Sequence, residues 1–322
     1  MKRIMFYMAA LICLTSVFTS CSKDEESLVT PSGEKLVTPT VRAALDEPNG
    51  QSPLTGILQA YPCQSESSTF FGNYVNGKLL PVCATYHIVD GHVSGTNSPL
   101  SLPAGYYNVV YWATPNYEVP TFAEPEIHEP ALHDGVDVST LYFSLRENIG
   151  EDTYSPVYDL VHAVQETHTA EDFQATLRRV VAGLKVTVTR DDRGAFSSDI
   201  KGMQVRIGSI AEKLNFYTGE PENQTKTVKF DLERSTDGTS MSNATVMLFP
   251  SAPNPTLELR ITRADGSVET LSQNLTSTLS ANTRLTLAIV IKERFPGGNT
   301  GKFLIENWHE EQETIEFTVD AL

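Results

Sequence analysis

Leu177-Arg178-Arg179-Val180-Val181-Ala182-Gly183-Leu184-Lys185-Val186-Thr187-Val188-Thr189 is the stretch from which the fold is read. In its second half Leu184, Val186 and Val188 point one way and Lys185, Thr187 and Thr189 the other, and a period of two belongs to a strand with one buried face. The whole run reads as one long strand. The same alternation returns at Met203, Val205 and Ile207, and at Leu257, Leu259 and Ile261, which lead into the hairpin turn Asp265-Gly266. Leu285 to Ile291 is an apolar strand, and Thr314-Ile315-Glu316-Phe317-Thr318-Val319 ends the chain with strict alternation.

Upstream, turn signals recur at short intervals. Asn76-Gly77 lies between Asn73-Tyr74-Val75 and Lys78-Leu79-Leu80, and Asp90-Gly91 between Tyr86-His87-Ile88-Val89 and His92-Val93-Ser94, both two-residue hairpin signatures. Pro103-Ala104-Gly105 then opens the aromatic and β-branched strand Tyr106-Tyr107-Asn108-Val109-Val110-Tyr111-Trp112. Residues 113–135 are Pro-rich and loop-like, and Ser139 to Leu145 is a further strand. Around Asp159 to Ala175 the pattern looks less strand-like, so the domain boundary is placed there. No window keeps a helical period for more than about two turns. The expectation is an all-β chain of two β-sandwich domains, residues 50–165 and 166–322.

The N-terminus carries an address. Lys2 and Arg3 precede an apolar run from Ile4 to about Phe18, too short to span a bilayer, which needs about 20 residues. Residues 1–20 therefore read as a signal peptide. Thr19 and Ser20 stand directly before Cys21, with Phe18 where Leu is usual, which matches a lipoprotein cleavage between Ser20 and Cys21 and acylation of Cys21. Three acyl chains hold a protein far better than one. Ser22-Lys23-Asp24-Glu25-Glu26 resembles the acidic signal that sends lipoproteins of Bacteroidota to the outer face of the outer membrane. Residues 27–49, rich in Pro, Thr, Ser and acidic groups, read as a flexible linker completing a lipidated segment 21–49; Leu28-Val29-Thr30 or Lys35-Leu36-Val37 could pair with a sheet edge.

The chain of 322 residues has a formal net charge of −16. Loss of Lys2 and Arg3 takes the mature form to about −18, which argues against nucleic acid, whose phosphates need a basic footprint. Two cysteines remain after the signal and the lipid site, Cys63 and Cys83. They form a disulfide if neighbouring strands bring them together, and otherwise are separate buried thiols.

Catalytic chemistry finds little support. His128, His133, Asp134, His162 and His168 have no metal-ligand spacing and read as surface groups. There is no nucleophile elbow, phosphate-binding glycine loop or dinucleotide fingerprint, so no enzyme activity, metal or cofactor is expected. Tyr106, Tyr107, Tyr111, Trp112 and Tyr117, or Trp308, could form a sugar-stacking platform. Alternation puts Tyr107 and Tyr111 on one face and Tyr106 and Trp112 on the other, and at least one face must be core.

The Cys21 lipobox, the Pro103 to Trp112 strand, the Leu177 to Val186 stretch and Thr283 to Lys292 together resemble the fimbrillin-like anchoring and minor subunits of Bacteroidota type V pili. The resemblance covers nearly the whole mature chain and implies two tandem transthyretin-like β-sandwiches. It also implies other fimbrial subunits as partners. In that family, stalk subunits lose an N-terminal strand to an Arg-directed protease and accept a neighbour's strand, whereas an anchor keeps its N-terminus and lipid. Arg42 sits where a stalk cleavage would fall, but the residues before it form no convincing strand. The favoured reading is a lipid-anchored fimbrial anchor or accessory subunit, with Thr314, Ile315, Glu316, Phe317, Thr318 and Val319 as a strand for exchange or for completing its own sheet. The alternative is a surface glycan-binding lipoprotein of a polysaccharide-uptake system, using the Tyr106 to Trp112 cluster.

Overall fold

The computed structural model describes residues 29–116, 127–294 and 310–320. Among these residues the regular structure is strand, apart from a single 3-10 turn at Val138–Thr140. The first sheet closes on itself. Its strands follow one another as Phe173–Arg179, Val161–His168, Tyr106–Pro115, Gly56–Gln64, Ala84–Val89, His92–Ser98 and Val41–Glu47, and the last pairs in parallel with the first. Closure leaves opposite arcs facing each other, and the apolar residues of alternating strands fill the space between. Leu58, Ala60, Ile88, Val109, Tyr111, Phe173 and Leu177 lie there, together with Val41, Ala43 and Leu45.

The hairpin turns follow the residues that allow them. Asn76 and Gly77 take φ of 52° and 73°, and Asp90 and Gly91 take 49° and 77°, the left-handed pair a two-residue hairpin turn requires. Val75 faces Lys78 and Val89 faces His92 across them.

The second half is two facing layers. One holds Ile127–His128, Tyr142–Leu145, Ile200–Asn215, Pro221–Arg234, Thr256–Arg263 and Val268–Asn274. The other holds Ala182–Arg190, Ser240–Ser242, Val246–Leu248, Arg284–Arg294 and Glu310–Asp320. Pro221–Arg234 touches Ser240–Ser242 and links the layers. Leu184, Val186 and Val188 face Val205, Ile207, Leu257 and Leu259 within one core, as the alternation in each strand requires.

Four expectations need correction. The run from Leu177 to Thr189 is two strands, because Arg179 to Leu184 are all buried, and alternation fails wherever the chain leaves one sheet for another. It crosses at Val180-Val181 from the first sheet into the second half, so only Leu184 onward belongs to the strand expected. The boundary at 165/166 falls inside strand Val161–His168, and the first sheet continues to Arg179. Residues 127–145, assigned by sequence to the first domain, pair instead with Ile200–Asn215. Finally, the linker reading fails over residues 41–47, whereas the strand pairing offered for Lys35-Leu36-Val37 is found. Leu36–Val37 pairs with Leu102–Pro103, and Val41–Glu47 is a full member of the closed sheet, with Val41, Ala43 and Leu45 turned inward.

Candidate assembly surfaces and the junction between the halves

The strand Tyr106–Pro115 positions both halves of the molecule. Its inward face, Tyr107, Val109 and Tyr111, belongs to the closed sheet. Its outward face, Val110 and Trp112, belongs to the core of the second half. Trp112 Nε1 donates to the Phe216 carbonyl at 2.9 Å, and its ring meets Phe143 and His162 at 4.6 Å and Phe216 at 5.8 Å. Tyr61 meets Phe216 edge-on at 4.9 Å, and Asn108 Nδ2 donates to the Tyr217 hydroxyl. Both faces of the aromatic cluster are thus core, and only Tyr106, against His168, is exposed. Among the described members of the cluster, no flat sugar platform is assembled; Tyr117 and Trp308 lie outside the described residues.

Charges hold the crossing point. Arg179 donates twice to Asp159, at 2.7 and 2.9 Å, in a partly buried fork, and Arg178 reaches Glu220 at 2.8 Å. His162, expected at the surface, is buried beneath Trp112. Burial pushes its pKa down to about 4, the Arg178 charge pushes the same way, and a backbone hydrogen bond with Tyr217 opposes both. Gly219 has φ of 73°, and a Cβ there would stand 2.9 Å from His162 Nδ1, so this turn needs glycine.

Cys63 and Cys83 are both free. Ala60 faces Ala84, and one further step in that register sets Cys83 opposite Tyr61. Cys63 is then a diagonal neighbour, about 7 Å away at Cβ, whereas a disulfide needs about 3.8 Å. Burial raises both thiol pKa values, that of Cys63 to about 12.

Two strands bear on assembly, one that closes a sheet and one at a sheet edge. The first, Val41–Glu47, fills the gap between Phe173–Arg179 and its other neighbours: Val41 to Leu45 face Phe173 to Leu177 in parallel register, Arg42 faces His92, and Ala44 to Glu47 face Pro53 to Gly50. Arg42 therefore lies within a strand, where the sequence reading expected only linker. The sequence signal was present in the alternation of Val41, Ala43 and Leu45, hidden by small residues. The second, Glu310–Asp320, pairs in parallel along the whole of Arg284–Arg294, from Arg284 opposite Glu310 to Arg294 opposite Asp320. Thr314 to Val319 lie within this terminal strand, which has no second partner strand among the described residues. Ser20 and Cys21 lie outside the described residues.

Among the described residues, no group of three or more His, Cys, Asp or Glu is placed to hold a metal, and no helix is long and apolar enough to cross a membrane. An open groove of about 840 Å³ beside residues 144–154 is lined by Glu147, Glu151, Asp152 and Glu212, with Glu151 tied to Lys229 and Arg206. The described residues thus define an all-β protein of tandem sandwiches, joined through one doubly buried strand and ending in a sheet edge. The family model for fimbrillin-A associated anchor proteins Mfa1 and Mfa2 matches residues 31–314, and the chain belongs to that family. It is a fimbrial subunit of the cell surface that associates with other fimbrial subunits, and its family is one of structural proteins.

No curated protein matches the sequence. Among solved structures it is similar to the fimbrial anchor protein Mfa2 from Porphyromonas gingivalis, at 11% identity over 77% of this chain and 90% of that one, with a TM-score of 0.45. It is also similar to a candidate cell adhesion protein from Bacteroides uniformis, at 15% identity over 80% and 94%, TM-score 0.45. A third is a group of candidate polysaccharide binding proteins from Bacteroides thetaiotaomicron, at 13% identity over 71% and 77%, TM-score 0.47.

Proposed function

We propose that this chain is the lipid-anchored base of a fimbrium, acylated on Cys21 after cleavage behind Ser20 and displayed on the outer face of the outer membrane. The observation that carries the reading is the seated strand Val41–Glu47. A subunit that receives a neighbour's strand must first vacate a place for it, and here that place is filled by the chain's own residues. Cleavage at Arg42 would remove Val41 from the core and break the parallel ladder, so a subunit working in this state is one whose N-terminus is kept. An N-terminus that is kept can carry lipid.

The opposite end then supplies the contact with the next subunit. Thr314 to Val319 sit in an edge strand, and an edge strand offers its free backbone groups to another chain. Two tests separate the parts of this reading. Cys21→Ala is expected to leave the membrane fraction after a carbonate wash, and continued pelleting contradicts the lipid anchor. Deleting residues 313–322 is expected to leave a folded protein that no longer co-purifies with fimbrial subunits; unchanged co-purification contradicts the assembly role of this strand.

A further inference from the structure

The small two-stranded hairpin Asn73–Val75 and Lys78–Leu80 stands apart from the two large sheets. Its root is fixed: Tyr74 N donates to Ser101 O at 3.1 Å and Ser101 N to Asn73 Oδ1 at 2.8 Å. Its outer strand and the residues after it are apolar yet uncovered, with Leu79 42%, Leu80 39% and Val82 37% exposed. A soluble protein seldom leaves three neighbouring aliphatic side chains in water without a use for them.

Two features identify what covers them. The first is position. A Cβ built on Gly77, at the hairpin tip, would lie 3.6 Å from the carbonyl oxygen of Val29, itself 49% exposed. Val29 is eight residues from Cys21, so Val29 lies within about 29 Å of the acylated residue and the tip only a few ångströms further. The second is charge. In a chain with 40 acidic residues, residues 67–89 contain no Asp or Glu, and Lys78 is their sole Lys or Arg; Glu129, from another segment, acts on Cys83 next to Val82. Burying a carboxylate within the headgroup layer is costly, whereas Lys beside aliphatic groups suits it. Ile149 gives the contrast: it is 96% exposed at another loop tip but is flanked by Glu147, Glu151 and Asp152.

We infer that the hairpin tip with Leu79, Leu80 and Val82 rests in the headgroup layer of the membrane that holds Cys21, so that the lipid fixes the subunit's distance from the surface and the hairpin fixes its tilt. The inference rests on the lipid-anchor reading. Its test uses the full-length acylated protein in phosphatidylethanolamine–phosphatidylglycerol vesicles with brominated acyl chains, as Leu80→Trp and Ile149→Trp variants. The added indole of Leu80→Trp is expected to shift to the blue and lose about half its emission relative to non-brominated vesicles, since interfacial side chains sit ~5–10 Å deep, while that of Ile149→Trp is unchanged. Hydrogen exchange of residues 73–82 in the unsubstituted protein is a second measurement, expected to slow on vesicles relative to the soluble Cys21→Ala form. An acylated, vesicle-bound protein with neither quenching nor slowed exchange overturns the inference alone. A mature protein with no acyl chain on Cys21 by mass spectrometry overturns the lipid-anchor reading and the inference with it. Slowed exchange that appears only when co-purified fimbrial subunits are present assigns the patch to a protein partner and also overturns it.

Discussion

Replacing Trp112 by alanine tests whether the two halves share one core. The side chain is buried, its Nε1 proton is held by the Phe216 carbonyl, and its ring lies against Phe143, Phe216 and His162. Burying a tryptophan removes about 150–250 Å² from water, which at about 25 cal/mol per Å² corresponds to ~4–6 kcal/mol. Loss of the donor adds about 1 kcal/mol for the carbonyl left behind. Trp112→Ala should therefore cost about 5 kcal/mol, within the upper range measured for large core truncations. With a urea slope of about 2–3 kcal/mol per molar, the midpoint falls by about 2 M. Trp112→Phe keeps a ring but loses the hydrogen bond, and should cost about 1–3 kcal/mol. The assay is urea unfolding of the soluble Cys21→Ala chain followed by far-ultraviolet circular dichroism, which needs no indole signal. Because the ring belongs to both halves, the parent is expected to unfold in one transition. A midpoint moved by less than about 0.3 M, or two separate transitions of which Trp112→Ala shifts only one, would refute the shared core.

Other expectations follow from the same geometry. Thiol counting under denaturing, non-reducing conditions should find both Cys63 and Cys83 free, and in the native protein at pH 8 both should react slowly, since burial keeps the Cys63 thiol neutral up to about pH 12; a bridged pair in the mass spectrum contradicts the register argument. His162 has a folded pKa of about 4, below its unfolded value of about 6.5. Its neutral form is therefore the one that folds: the stabilisation is fully present above about pH 6.5, and is lost as pH falls from there to about 4. Urea titrations at pH 7 and pH 4 should show His162→Asn flattening this slope by up to about 3 kcal/mol; an unchanged slope shows that carboxylates alone set it. Gly219→Ala should be destabilised by more than about 1 kcal/mol, through both its positive φ and the contact with His162, and a thermal midpoint equal to the parent's counts against this account.

What the sequence alone determined is what a short window contains. The period of two at Leu184, Val186 and Val188, and at Leu257, Leu259 and Ile261, needs only that one side of a strand meets water, so the all-β class followed directly. Asn76-Gly77 and Asp90-Gly91 marked their turns because few other residue pairs tolerate two left-handed conformations in succession. The expectation of a lipid on Cys21 is likewise drawn from a local motif. Partner choice is not. Val41 to Leu45 looked like linker because alanines carry little hydrophobic signal, and only pairing with Phe173 to Leu177 makes them a strand. Arg179 to Leu184 read as one strand because apolar residues in sequence do not say which core each enters. His162 looked solvated until Trp112 and Gly219 closed over it. In each case burial depends on residues far outside any short window, and backbone groups pair with whichever strand the closed sheet brings beside them. Those matters only the tertiary structure decided.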